Sequence, residues 1–260
     1  MINGRFGLFT RLHAIAIVCI CAATAADAQV RRESDVHARL AKEPLTIFLA
    51  SGPENACGEG CSNWIAVDGQ FDKGSAKRFA TFVQRLENRE IPVFFNSTGG
   101  LTDEGIEVGR FLRIHKMRAG VAASRGNCKC QNASDCKANM PTAQPLPATW
   151  SSKATCSSAC VLALLGAPVR MVPKGAKVGV HSTAYFCFRE DGRVMRPVGK
   201  SKDALDCKRK LQKRAEQLTN YITDMSVNTD LIRLMEKVPS SRIRFLTRDE
   251  IERYQIATTE

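Results

Sequence analysis

The sequence predicts an α/β fold made of repeated β-α-β units around a mostly parallel sheet, and three observations carry the prediction. Short apolar runs rich in β-branched and aromatic residues alternate with stretches of helical periodicity; parallel neighbours need such crossovers, so the alternation reads as a parallel sheet. With 44% hydrophobic and 25% charged residues the composition is that of an ordinary globular chain, which excludes disordered, collagenous and coiled-coil classes. The alternation runs from residue 44 to 260 with interruptions at 124–152 and 184–202, so this region reads as a single domain with two loop insertions.

Residues 1–28 precede the pattern. Arg5 and Arg11 form a basic start, His13 to Ala25 an apolar run, and Ala26-Asp27-Ala28 a small-residue cleavage site, the pattern of a secretory signal cut after Ala28. Retention as an anchor is the alternative, but the run is about 13 residues where a spanning helix needs roughly 20. No later stretch is long and apolar enough to span. Residues 29–43, with Arg31, Arg32, Glu33 and Asp35, form a polar leader.

The elements then follow in order. Leu45–Ala50 reads as a strand ending in the Gly/Pro/Cys loop Ser51–Cys61, Trp64–Val67 as a second strand, and Asp68–Phe71 as its turn. Ser75–Leu86 places Ala76, Phe79, Phe82, Val83 and Leu86 at helical spacing behind Ser75 as N-cap. Ile91–Phe95 returns to strand, Asn96–Gly100 is a tight turn, Asp103–Arg113 a helix and Ala119–Ala123 a short strand. Past the first insertion, Cys156–Cys160 opens an apolar helix through Leu165, and Val178–His181 is the next strand. The second insertion leads into a long helix, Lys202–Met225, whose Leu205, Leu211, Ala215, Leu218 and Ile222 predict packing on the sheet, with an oligomer contact as the alternative. Short helices at Asp230–Lys237 and Arg248–Tyr254 end the chain.

The formal net charge is +12, falling to +11 without Arg5, Arg11 and Asp27. The basic residues are scattered and no nucleic-acid-binding motif accompanies them, so a solvated surface or an anionic partner is expected rather than nucleic acid. Of eleven cysteines two fall in the signal, and the remaining nine are an odd number, so at least one is free or pairs between chains. Paired C-x-x-C knuckles are absent, which favours structural disulfides over zinc; no metal or cofactor is expected. The candidates are Cys57, Cys61, Cys128, Cys130, Cys136, Cys156, Cys160, Cys187 and Cys207. Cys57 with Cys61 would close a small loop and Cys187 with Cys207 would staple the second insertion to the long helix, but the connectivity stays open.

Few residues suit catalysis. Of four histidines, His13 lies in the signal, His37 in the leader and His115 between basic residues at a helix end; His181 ends an apolar strand. Ser157 and Ser158 lie where a loop becomes a helix, a place that presents a hydroxyl beside outward backbone N–H groups. Gly99 and Gly100 follow another strand and give an oxyanion close access to backbone N–H groups. In a parallel sheet these strand ends share one edge, where ligands bind.

Trp64-Ile-Ala-Val-Asp-Gly-Gln-Phe71, Phe95-Asn-Ser-Thr-Gly-Gly-Leu101, Cys156-Ser-Ser-Ala-Cys160, Val178-Gly-Val-His181 and Phe245-Leu-Thr-Arg-Asp-Glu-Ile-Glu252 resemble the Clp protease proteolytic subunit and its crotonase-fold relatives. They are most similar to periplasmic Clp-protease-like proteins of proteobacteria. The resemblance implies a ClpP/crotonase-like fold, Ser158 as nucleophile with Ser157 the alternative, His181 as general base, and Gly99, Gly100 and the Ala159 N–H as oxyanion donors. The family's acid has no counterpart in Val238-Pro239-Ser240-Ser241; Glu236, and less closely Asp230, are the nearest carboxylates, so whether the chain is an enzyme stays open. The expected function is an exported serine-peptidase-like hydrolase, periplasmic or secreted from a bacterium, acting on peptides or unfolded envelope proteins without ATP. A homo-oligomer is one assembly the resemblance implies. A catalytically inactive binding or scaffold protein is the alternative.

Overall fold

The computed structural model describes residues 43–126, 144–183, 187–188, 194–195 and 197–259, and residues 40–260 cluster as one unit. The architecture is mixed α/β with a mostly parallel central sheet. Strands β1 (Thr46–Ser51), β2 (Asn63–Phe71) and β3 (Val93–Gly100) open it, joined to β4 (Ala119–Val121), β5 (Ala123–Gly126), β6 (Leu146–Ser151), β7 (Thr155–Ser157), β8 (Arg170–Met171), β9 (Lys177–Val180) and β12 (Arg244–Phe245). Their order is β12-β9-β7-β3-β2-β1-β6-β5, with β4 and β8 branching from β3. Pairs β2–β3, β3–β4, β3–β7 and β7–β9 are parallel, whereas β1–β2, β5–β6 and β9–β12 are antiparallel. A separate two-stranded hairpin joins β10 (Cys187–Phe188) to β11 (Val194–Met195).

Strand β3 decides where the site forms. Its first half, Val93–Phe95, pairs with β4, and Ser97 beyond it pairs with Cys156 of β7. The sheet therefore divides along one strand. The segment Asn96–Gly100, expected as a tight turn, is instead the continuation of β3, pairing Gly99 and Gly100 with Gln70 and Phe71. Likewise Asp68–Phe71, expected as a turn, continues β2 past a register shift between Asp68 and Gln70. Gly69 absorbs that bulge with φ +102°, a conformation glycine adopts without a side-chain penalty.

Six described helices complete the fold: α1 (Ser75–Gln84), α2 (Thr102–Ile114), α3 (Ala159–Gly166), α4 (Lys202–Asp224), α5 (Asp230–Glu236) and α6 (Arg248–Arg253). Ser75 is the first helical residue rather than the N-cap; Gly74 holds that place with no side-chain cap. Glu104 of α2 reaches across to accept the N–H groups of Gly74 at 2.7 Å and Ala76 at 2.8 Å, so a tertiary carboxylate satisfies donors that a helix start leaves unpaired. Every residue of α3, Ala-Cys-Val-Leu-Ala-Leu-Leu-Gly, is buried, which makes it the central helix. It lies close against α2 because Gly105, Gly109 and Gly166 line the seam: an added Cβ at any of them would strike Ala159, Tyr221 and Leu162, or Gly109.

The long helix departs from its predicted packing. Leu218, Tyr221 and Ile222 are buried, and the Tyr221 hydroxyl donates to the Leu162 carbonyl at 2.6 Å. Burial pushes the Tyr221 hydroxyl's pKa up. Residues 208–217, in contrast, are exposed on all sides apart from a half-buried Leu211, and Leu205 is 46% exposed. The first insertion is also different at its ends, because 123–126 and 146–151 form the antiparallel edge pair β5–β6. No helix among the described residues is long and apolar enough to cross a membrane.

Candidate active site

The geometry begins at Ser158. It stands between β7 and α3 with φ 55° and ψ −121°, a backbone conformation that costs a non-glycine residue on the order of 1–3 kcal/mol. A strained serine at a strand-to-helix turn is how hydrolase nucleophiles are thrust out of a sheet. Its N–H is held by the Gly179 carbonyl at 2.9 Å, and it remains half-buried. Ser157 is different: it is fully buried, and its Oγ has no hydrogen-bond partner among the described residues. That hydroxyl points at β9, where an added Cβ on Gly179 would lie 2.5 Å from it.

Gly99 packs directly on the serine. An added Cβ there would fall 2.6 Å from Ser158 Cβ and 3.1 Å from the Ala159 nitrogen, and φ is +105°. At Gly100, expected beside it as a second oxyanion donor, an added Cβ would meet Phe71 and Gln70 of β2; the α-carbons of the two glycines face different neighbours. The Gly99 N–H donates to Ser97 Oγ at 3.1 Å. Ala159 is the first residue of α3, so its N–H has no acceptor within the helix and is free to face an oxyanion.

The parallel pairing of Ser157 with Gly179 puts Ser158 and His181 at the ends of adjacent strands. The His181 Nδ1 lies 2.8 Å from the Ser182 carbonyl oxygen. A carbonyl only accepts, so this contact requires Nδ1–H and leaves Nε2 as the lone-pair nitrogen of the neutral ring. The Ser182 N–H in turn donates to the Val238 carbonyl at 2.8 Å. Of the weak acid candidates, Glu236 is exposed and Asp230 is paired with Arg233 at 3.0 Å.

Cys156 and Cys160 form a disulfide, Cα to Cα 5.2 Å, that encloses Ser157, Ser158 and Ala159. Both are fully buried. Cys57–Cys61 and Cys187–Cys207 are also bonded, while Cys128, Cys130 and Cys136 lie outside the described residues. Among the described residues no group of three or more His, Cys, Asp or Glu side chains is placed to hold a metal. Sequence reasoning missed Asn96, which is buried and accepts the Thr155 N–H with Oδ1 at 3.2 Å, fixing the entry of β7 to β3. A polar residue in a strand between two apolar ones and a glycine pair was the available signal.

No family model matches the chain, and no curated protein matches it. Similar solved structures include a serine-to-alanine mutant of the 1510-N membrane-bound stomatin-specific protease, at 13% identity and TM-score 0.40 over 73% of each chain. They also include an asparagine-to-aspartate mutant of ClpP1 from Listeria monocytogenes, at 13% identity and TM-score 0.44 over 72% of this chain and 84% of that one.

Proposed function

We propose that this chain is an exported, ATP-independent serine-peptidase-like hydrolase of the Clp-protease-like kind, acting on peptides or unfolded proteins. The observation that carries the reading is the strained Ser158 at the start of α3, at the end of the strand next to the one that ends at His181, whose Nε2 is left as a lone pair. In the reaction, Ser158 Oγ attacks the scissile carbonyl and His181 Nε2 takes its proton. The Ala159 N–H receives the developing oxyanion. Collapse expels the amine, which takes the proton back from His181, and a water activated by the same ring then releases the acyl group. Export is supported by the pattern of residues 1–28 and by three buried or half-buried disulfides, which persist in an oxidising compartment.

The second reading is a binding protein that keeps the fold without turnover, favoured by the exposure of Glu236 and the pairing of Asp230 with Arg233. A fluorophosphonate probe applied to the oxidised protein separates the two. Labelling that is lost in Ser158→Ala and kept in Ser157→Ala supports the hydrolase. Absence of labelling in folded protein, or labelling that survives Ser158→Ala, removes it.

A further inference from the structure

We infer that the backbone carbonyl of Ser182 is the orienting group of His181, standing where a catalytic triad has a carboxylate; the inference rests on reading Ser158 and His181 as the reacting pair. The ring's Nδ1 is 2.8 Å from that oxygen. The peptide carrying it is not a loose loop end. The Ser182 N–H is tied to the Val238 carbonyl at 2.8 Å, the Val238 N–H to the Met235 carbonyl at 3.0 Å, and the preceding Val180 pairs with Arg244 of β12. Val238 belongs to the stretch Val238–Ser241, which contains no carboxylate. The segment that lacks the acid therefore still holds the histidine, through main-chain bonds.

The chemistry of the substitution is specific. A side-chain amide in place of the acid can turn its NH2 group to the ring and trap the wrong tautomer, which in a serine protease costs about 10⁴-fold in turnover. A backbone carbonyl has no donor to offer, so it accepts from Nδ1–H alone and keeps Nε2 facing the nucleophile. It is a dipole and not a charge, so it stabilises the imidazolium formed during attack less than a carboxylate does. Ser182 is thus a positioning residue acting through its main chain, and Asp230 and Glu236 have no part in the reaction.

Nitrogen-15 spectra of the histidine rings in oxidised full-length protein test this, with the His181 signals identified by their loss in His181→Gln. In the neutral ring, Nδ1 is expected as the N–H nitrogen and Nε2 as the bare one. A ring protonated on Nε2 overturns the inference. Replacing Thr183 by its α-hydroxy analogue converts the Ser182 carbonyl from amide to ester, a weaker acceptor; the Nδ1–H population should fall, and kcat should drop about fivefold, the weight of one ordinary hydrogen bond, with KM unchanged. Unchanged spectra and kcat in the ester protein contradict the assignment, as does a tautomer change in Asp230→Asn or Glu236→Gln. An Nδ1–H ring in protein whose Ser158 ignores the fluorophosphonate upholds the orientation and removes the hydrolase reading. An Nε2–H ring in labelled protein does the reverse.

Discussion

Gly105→Ala sets two physical effects against each other, and the structure decides which wins. Gly105 lies in the first turns of α2, where alanine improves helix propensity by about 1 kcal/mol. The added Cβ, however, would fall 3.0 Å from the Ala159 carbonyl carbon and 3.1 Å from Ala159 Cβ, and closer still to the carbonyl oxygen. Carbon atoms in good contact sit about 3.5–4.0 Å apart, so α2 and the first residue of α3 must separate by roughly 0.5–1 Å. Overpacking of that kind costs about 1–3 kcal/mol, which leaves a net loss of about 0–2 kcal/mol in a urea melt. The functional effect should be larger, because the displaced residue, Ala159, is the one proposed as oxyanion donor next to Ser158, and a shift of about 1 Å can lower turnover about 10²-fold. The assay is the second-order rate of Ser158 labelling by a fluorophosphonate alongside the urea midpoint. A variant stabilised by about 1 kcal/mol and labelled at the wild-type rate would refute the argument, since it would mean the seam has room.

Two further predictions concern the frame around the site. Arg170 is buried with no carboxylate partner among the described residues and donates to the carbonyls of Ala167 at 2.6 Å, Gln255 at 2.8 Å and Ile256 at 3.1 Å; burial, with the nearby charge of Arg113, presses its pKa down to about 10. Arg170→Met leaves those acceptors unpaired and should cost about 3 kcal/mol, Arg170→Lys should not restore it because an ammonium cannot span both helix ends, and a loss below about 1 kcal/mol would count against the clamp. Glu250 accepts the Thr247 N–H at 3.0 Å and pairs with Arg244, which holds its carboxyl below the ordinary 4.5. The unfolded chain therefore binds the proton first, so the stability this group adds is complete above 4.5 and fades as the pH falls through the lowered folded value; Glu250→Gln should flatten that part of the urea-midpoint profile, and an unchanged slope sinks the prediction.

The strands and helices with a clean period were legible in the sequence. The Phe79 and Val83 stripe of α1, the apolar run of α3 and the strand ending at Val180 all form close to where their patterns put them. What escaped was set by tertiary partners. Asp68–Phe71 and Asn96–Gly100 carry turn residues, yet each continues a strand because the other lies beside it, and glycine tolerates a strand when a bulge or close approach uses its freedom. Ser75 looked like a cap, but Glu104, distant in sequence, does the capping. In the site, the chain order of Gly99, Ser158 and His181 was readable as residues that could meet. The burial of Ser157, the facing of the Gly100 α-carbon toward Phe71 and the main-chain partner of His181 depend on neighbouring strands and leave no local trace.

The strained serine also shows how this chain builds its turn without the usual means. A Gly-x-Ser-x-Gly elbow gives its serine room by removing side chains two residues to either side. Here those positions are Cys156 and Cys160, and they are bonded to each other. The room comes from other elements instead: Gly99 of β3, Gly105 of α2 and Gly179 of β9 each leave space that a Cβ would fill with atoms of residues 157 to 159. The disulfide holds the strand end to the first turn of α3 and so opposes relaxation of Ser158 from φ 55°. If that conformation stores about 1–3 kcal/mol, Ser158→Gly should release it, less the roughly 0.5–1 kcal/mol that glycine loses in chain entropy. Ser158→Ala, which removes the hydroxyl but keeps a Cβ, should release none. The glycine variant should therefore unfold at higher urea than the alanine variant, by the equivalent of up to about 2.5 kcal/mol. A glycine variant that unfolds at lower urea than the alanine variant would mean that Ser158 is not strained and that the cysteine pair constrains nothing the fold does not already prefer.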